Sequence, residues 1–189
     1  MKILKYVVGV LILLFVGFFL IGLIWPKFTY TSQVIVNASV EKSWAVFTDE
    51  TKMAEWMPGF KSIENISGEP LQVGSEWKLT VEDQGQIFEM TERVTAVKVQ
   101  EKYAFWLDND VLNANVEIYF AAVDSATTEI TANTQTIAKG VVWKSMLFLM
   151  KGNISEQDQE NYNNLKRVIE SSDYTPKTEV MENPGTQSE

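Results

Sequence analysis

In the alternating stretch Phe88, Met90, Glu92, Val94, one carboxylate stands among apolar neighbours. On a strand, period two places Glu92 on the same face as those side chains. A carboxylate buried there must be paired, protonated or functional, because an isolated charge is costly to take out of water. Such a group binds a ligand hydroxyl or works as a general acid/base, and Tyr103 is the other acid/base group at hand. Two purely structural readings compete: a bulge or strand end that leaves Glu92 in water, and neutralisation by Arg93 or Lys98. Thr134 and Thr136 alternate with Asn133 and Gln135, so their hydroxyls also share one face, although threonine is common in strands for packing reasons. Asp108-Asn109-Asp110 carries two carboxylates, but without a larger frame of ligands it reads as a hairpin turn rather than a calcium site. The chain contains neither histidine nor cysteine. That excludes Ser-His-Asp and Cys-His catalysis, disulfides, and imidazole or thiolate metal ligands. No metal site, no cofactor and no catalytic motif is expected.

The elements that would position these residues follow from the hydrophobic period. Phe28 to Val36 alternates as a strand. Asn37 or Ser39 caps a helix through Phe47 or Thr48, and Asp49 caps a second, shorter one with Met53, Trp56 and Met57 on its apolar side, stopped by Pro58-Gly59. A run of strands follows: Phe60–Ile66, Glu76–Glu82, Ile87–Val97, Lys102–Leu107, Val111–Val123 and Thr127–Ala138, divided by turn-forming segments such as Gly68-Glu69-Pro70 and Asp83-Gln84-Gly85-Gln86. Beyond Gly140 the period becomes helical, with Ser155 and Asp158 in a capping-box pattern at the head of a final helix whose stripe is Ile154, Tyr162, Leu165 and Ile169. The stretch 173–189 has little to bury and is expected to be disordered.

Ahead of all this, Tyr6 to Trp25 is an uncharged apolar run. Twenty helical residues span roughly 30 Å, the hydrocarbon thickness of a bilayer. A cleaved signal peptide would have a shorter apolar core and small residues at its cleavage site, whereas Ile21-Gly22-Leu23-Ile24-Trp25-Pro26 is bulky. Residues 1–27 therefore read as a single-pass transmembrane anchor. Lys2 and Lys5 before the span, against Lys27 after it, place the N-terminus in the cytoplasm and the rest of the chain outside it. The glycines at 9, 17 and 22 form no Gly-x-x-x-Gly pair and give helix dimerisation no support. From Phe28 onward thirteen basic residues face twenty-five acidic ones, a net charge of −12, which argues against nucleic acid as a partner.

Four motifs, in this order, carry a resemblance: Asn37-Ala38-Ser39-Val40-Glu41-Lys42-Ser43-Trp44-Ala45-Val46-Phe47-Thr48-Asp49, then Trp56-Met57-Pro58-Gly59, then Val73-Gly74-Ser75, and finally Leu165-Lys166-Arg167-Val168-Ile169-Glu170. Residues 28–172 resemble the SRPBCC (START-like, helix-grip) superfamily, in particular its polyketide cyclase/dehydrase type. Ser39 departs from the proline many relatives carry there, and most relatives lack the N-terminal span. The resemblance implies an α+β helix-grip fold, an antiparallel sheet wrapped around a long C-terminal helix with two short helices after strand one, here preceded by one transmembrane helix. It also implies an apolar cavity between sheet and helix that holds lipids, sterols, polyketides or other hydrophobic small molecules.

The side chains expected to face that cavity are Trp77, Leu79, Phe88, Met90, Glu92, Tyr103, Phe105, Val116, Ile118 and Phe120 from the sheet, with Met150, Ile154 and Tyr162 from the helix; each also serves as core packing. Ile130 to Ser155 has no acidic residue and carries Lys139, Lys144 and Lys151 around Trp143, Met146, Leu147, Phe148, Leu149 and Met150. It reads either as a membrane-facing lip or as the first turns of the last helix, packed on the sheet. Three functions stand open: a membrane-anchored binder of a lipid-like molecule, a cyclase or dehydratase using Glu92, and a tethered adaptor for a protein partner that the sequence does not name.

Overall fold

The computed structural model describes residues 2–174. The tail expected to be disordered lies, from 175 onward, outside the described residues. Helix α1 (Lys2–Ile24) is followed by strand β1 (Lys27–Val36), helix α2 (Val40–Phe47), a 3-10 turn (Glu50–Lys52) and the one-turn helix α3 (Met53–Trp56). Strands β2 (Phe60–Ser67), β3 (Glu76–Asp83), β4 (Gln86–Lys98), β5 (Lys102–Asp108), β6 (Leu112–Asp124) and β7 (Thr127–Ala138) lead into helix α4 (Gly140–Ser171). The strands make one antiparallel sheet in the order β1-β7-β6-β5-β4-β3-β2, so the first strand closes against the last.

Local chemistry sets the boundaries. Ser39 accepts a hydrogen bond from the Lys42 amide (3.3 Å) and caps α2; Asp49 accepts from the Thr51 amide (3.0 Å) and caps the 3-10 turn. Asn109 Oδ1 accepts from the amides of Val111 and Leu112, both at 2.9 Å, and Asp108 lies 2.7 Å from Lys139 Nζ. Thr128 Oγ1, fully buried, donates to the carbonyl of Ala38 (2.7 Å), tying β7 to the segment that enters α2. The core lies between the sheet and the helices, where Leu165 and Ile169 of α4 are inaccessible to solvent alongside Val36, Ile118 and Ile130.

Two features differ from the sequence reading. The final helix does not begin at a Ser155 cap: α4 runs unbroken from Gly140, Ser155 Oγ donates back to the Gly152 carbonyl (2.9 Å), and Asp158 is engaged elsewhere. A capping-box pattern inside a helix is satisfied by ordinary i−3 and tertiary bonds when neither residue is needed at an end. The first turns of α4 also pack on α1 rather than on the sheet, with Ser145 Oγ donating to the Phe18 carbonyl (2.6 Å) and Phe148 stacked on Trp25 at 5.0 Å between ring centroids. Helix α1 is long and apolar enough to cross a membrane over Ile3–Ile24, and only 6% of its most apolar window is buried, so it is no part of the core.

Gly59 closes the loop after α3 with φ of +80°, and its carbonyl accepts from the Glu82 amide at 2.7 Å. A Cβ there would sit 2.2 Å from the Glu82 carbonyl oxygen. Both the left-handed backbone and the backbone clash oppose any side chain. Gly59→Ala is expected to lower stability by about 1–3 kcal/mol or more, read as a lower denaturation midpoint of the full chain in detergent micelles; an unchanged midpoint would contradict this geometry.

A buried acid pair in an internal cavity

Between the sheet, α3 and α4 lies a cavity of about 690 Å³. Period two on β3 sends Trp77, Leu79 and Val81 to its wall, and the cross-strand partners Glu92 and Met90 of β4 stand opposite the first two. From β5 and β6 come Tyr103, Phe105, Leu107, Ala114, Val116 and Ile118. Helix α4 supplies the facing wall at three- and four-residue spacing: Met150, Asn153, Ile154, Gln157, Asp158, Asn161 and Tyr162. Wall residues that are also exposed, among them Glu50, Pro58, Leu71, Gln84 and Met150, form its rim.

Glu92 is 7% exposed and accepts a 2.8 Å hydrogen bond from the Tyr103 hydroxyl. Neither structural alternative applies to it. The β4 irregularity falls between Val94 and Ala96, past Glu92; Arg93 pairs with Glu76 and Lys98 with Glu101. With no cation beside it among the described residues, burial pushes Glu92 up to about 7, the Tyr103 hydrogen bond pulls against that, and Glu50 at the rim adds a further upward push. Burial and the adjoining carboxylate raise the Tyr103 phenol as well, so it stays a donor. The pair thus presents a weakly acidic carboxyl and a phenol to the cavity, suited to hydrogen bonding with a neutral group or to proton transfer.

A second polar cluster lines the α4 side. Asp158 Oδ2 accepts from Ser32 Oγ (2.6 Å), and burial raises its carboxyl above the usual range. Tyr30 and Tyr162 stand close enough that burial first, then the Asp158 charge, lift both phenols; Thr134 and Thr136 hydrogen bonds pull Tyr30 the other way.

Of the side chains singled out from sequence, Trp77, Leu79, Met90, Glu92, Tyr103, Phe105, Val116, Ile118, Met150, Ile154, Tyr162 and Thr134 line the cavity. Thr136, Phe88 and Phe120 do not. Phe88 lies opposite Val81 on the correct face, yet so near the hairpin end that it is 37% exposed. Phe120 lies beyond the other end of the cavity, 4% exposed, packed edge-on to Trp44 (5.3 Å) and against Phe47 (5.4 Å) as core. On α4 the sequence reading missed Asn153, Gln157 and Asn161 and took Asp158 for a capping residue. Extending the spacing of Met150, Ile154 and Tyr162 would have found them, but polar side chains do not register in a search for an apolar stripe.

Residues 27–170 match the family described as polyketide cyclase/dehydrase and lipid transport. Solved structures share the fold at low identity. Ara h 8.0201 is 14% identical, with a TM-score of 0.64 over 77% of this chain and 99% of that one. A conserved protein from Geobacillus kaustophilus is 15% identical, TM-score 0.63, over 75% and 95%. The Zhui aromatase/cyclase from Streptomyces sp. R1128 is 14% identical, TM-score 0.59, over 75% and 96%. Among curated proteins no significant match is found.

The raised Glu92 carboxyl links stability to pH. Between the ordinary value of 4.5 and about 7, the unfolded chain ionises Glu92 while the folded one keeps it protonated, so this group makes stability fall as pH rises through that window. Asp158 adds a fall in the same direction that starts lower. Glu92→Gln is expected to remove the upper part of the slope, gaining on the order of 3 kcal/mol at pH 8 relative to its difference from wild type at pH 4.5. Denaturation midpoints of both proteins across that range check this, and parallel profiles would contradict it.

Proposed function

The chain belongs to the polyketide cyclase/dehydrase and lipid transport family, and from that premise we propose that it is a membrane-anchored binding protein for a lipid-like amphiphile. The cavity carries this reading. Its volume of about 690 Å³ falls in the range of small-molecule sites, and its sheet wall is mostly aromatic and aliphatic. Burying about 300 Å² of ligand apolar surface is worth roughly 7 kcal/mol before the costs of ordering. The Glu92–Tyr103 pair and the Asp158 cluster would then fix the polar part of the ligand. A buried carboxyl and a half-buried one disfavour an anionic head and favour hydroxyl or amide groups. Helix α1 would hold the domain at a membrane surface, outside the cytoplasm by the Lys2 and Lys5 bias.

A second reading rests on one specific observation, the near-neutral value of Glu92 beside a phenol donor. A carboxyl so poised serves general acid/base chemistry on a bound polyketide-like substrate. On that reading Glu92→Gln would retain the ligand but leave it chemically unchanged. An adaptor role has less support, since it needs no cavity.

Native mass spectrometry of the gently purified full chain is expected to show a bound lipid-like molecule. Ala114→Trp, which fills the cavity from a buried wall position, is expected to lose at least tenfold in occupancy, about 1.4 kcal/mol or more. An empty wild-type protein, or equal loading of the variant, would sink the binding proposal.

A further inference from the structure

We propose that the first three turns of α4 are a second membrane-inserted element, lying in one leaflet beside the end of α1. The proposal rests on the reading of α1 as a bilayer span. Helix α1 and α4 meet at backbone distance: a Cβ on Gly22 would lie 2.5 Å from Ser145 Oγ and 2.9 Å from the Val141 carbonyl oxygen. Ser145 donates to the Phe18 carbonyl at 2.6 Å. Small residues at a helix crossing, with a hydroxyl bonded across it, are how helices associate where no water drives them together.

These contacts fix depth. If Trp25 sits at the headgroup level, Gly22 and Phe18 lie about 5 to 10 Å deeper at the helical rise, and Val141 and Ser145 lie beside them. The α4 side chains turned away from α1 are accordingly apolar and bare: Val142 (51% exposed), Trp143, Leu149 (60%) and Met150. An apolar groove of about 320 Å³ between Val141 and the α1 residues Phe19, Leu20 and Leu23 has room for an acyl chain. Lysine alone supplies charge here: Lys144 is half-buried, and Lys151 Nζ lies 4.6 Å above the Phe148 ring, a position from which a long side chain reaches headgroups. Continuity with the α1 surface and the absence of acids from 130 to 155 single out a lipid leaflet as the occupant. Met150 belongs to both this face and the cavity rim, so insertion brings the rim to the headgroup zone.

The chain has no cysteine, so single cysteines can carry an environment-sensitive dye. Four full-length variants in phosphatidylcholine vesicles test the proposal: Leu14→Cys within α1, Val142→Cys and Leu149→Cys on the α4 face, and Val99→Cys. The turn bearing Val99 lies at the sheet end opposite Lys27, as the register Lys102–Tyr119–Thr131–Gln33 shows. Doxyl-labelled lipid is expected to quench the Leu14, Val142 and Leu149 dyes several-fold more than the Val99 dye, and iodide to quench only Val99 strongly. Quenching of Leu14 by lipid with Val142 and Leu149 resembling Val99 would overturn insertion of α4 and leave the anchor standing. Shielding of Val142 and Leu149 from both quenchers would mean that a protein or a second copy covers this face, which also overturns it. If the Leu14 dye is reached by iodide, the anchor reading fails and this proposal with it.

Discussion

Helix α4 is one unbroken run of 32 residues, about 48 Å long at the helical rise, and three separate regions depend on its continuity. Its first turns pack on α1 through Ser145 and Phe148, its middle lines the cavity from Met150 to Tyr162, and its end plugs the core with Leu165 and Ile169. Because a helix transmits position rigidly, whatever α1 is held in also sets where the cavity lies. Only Trp25 and Pro26 separate α1 from β1, and β1 pairs with β7 along its whole length, so the two ends of the domain nearest α1 are fixed to the same edge of the sheet. A long linker at either place would uncouple the domain from α1; neither exists.

The sheet was legible from sequence because period-two alternation with turn residues at each break leaves few other options, and strand limits differ by a residue or two. Glu92 was legible for the same reason: one charged residue breaking an apolar alternation is a local signal. What partnered it was not: the register sets Glu92 against Leu107 and Tyr103 against Val97, so the bond is made by two long side chains reaching toward each other along the cavity wall. The start of α4 was misread because Ser155 and Asp158 have cap spacing, while the true beginning at Gly140 has a lysine in the cap position and no side-chain cap. Its stability there comes from α1, a contact between segments more than a hundred residues apart that no local pattern encodes.

Phe88 and Phe120 show the limit of face assignment. Alternation says which side of a sheet a residue occupies, and both are on the inner side. It does not say how far along the strand the cavity extends. Phe120 lies where α2 comes down on the sheet and fills the space with Trp44 and Phe47, while Phe88 lies beyond α4's reach near the hairpin tip. The cavity is thus bounded by where helices touch the sheet, a property of packing that strands alone do not carry.

Desolvation governs the chemistry that remains. Glu92 and Asp158 face the same cavity from opposite walls, and among the described residues neither has a cation to offset its burial. The cost of ionising either is held down by a single hydrogen bond, from Tyr103 or Ser32, and by whatever water enters. A ligand that fills the cavity removes that water, so it must raise both carboxyls further and favour their protonated forms. By reciprocity, protonation must favour the ligand to the same extent. The acids that cost the empty protein stability above their usual range would then become donors to a bound polar group, and the occupied cavity is where their burial stops being a liability.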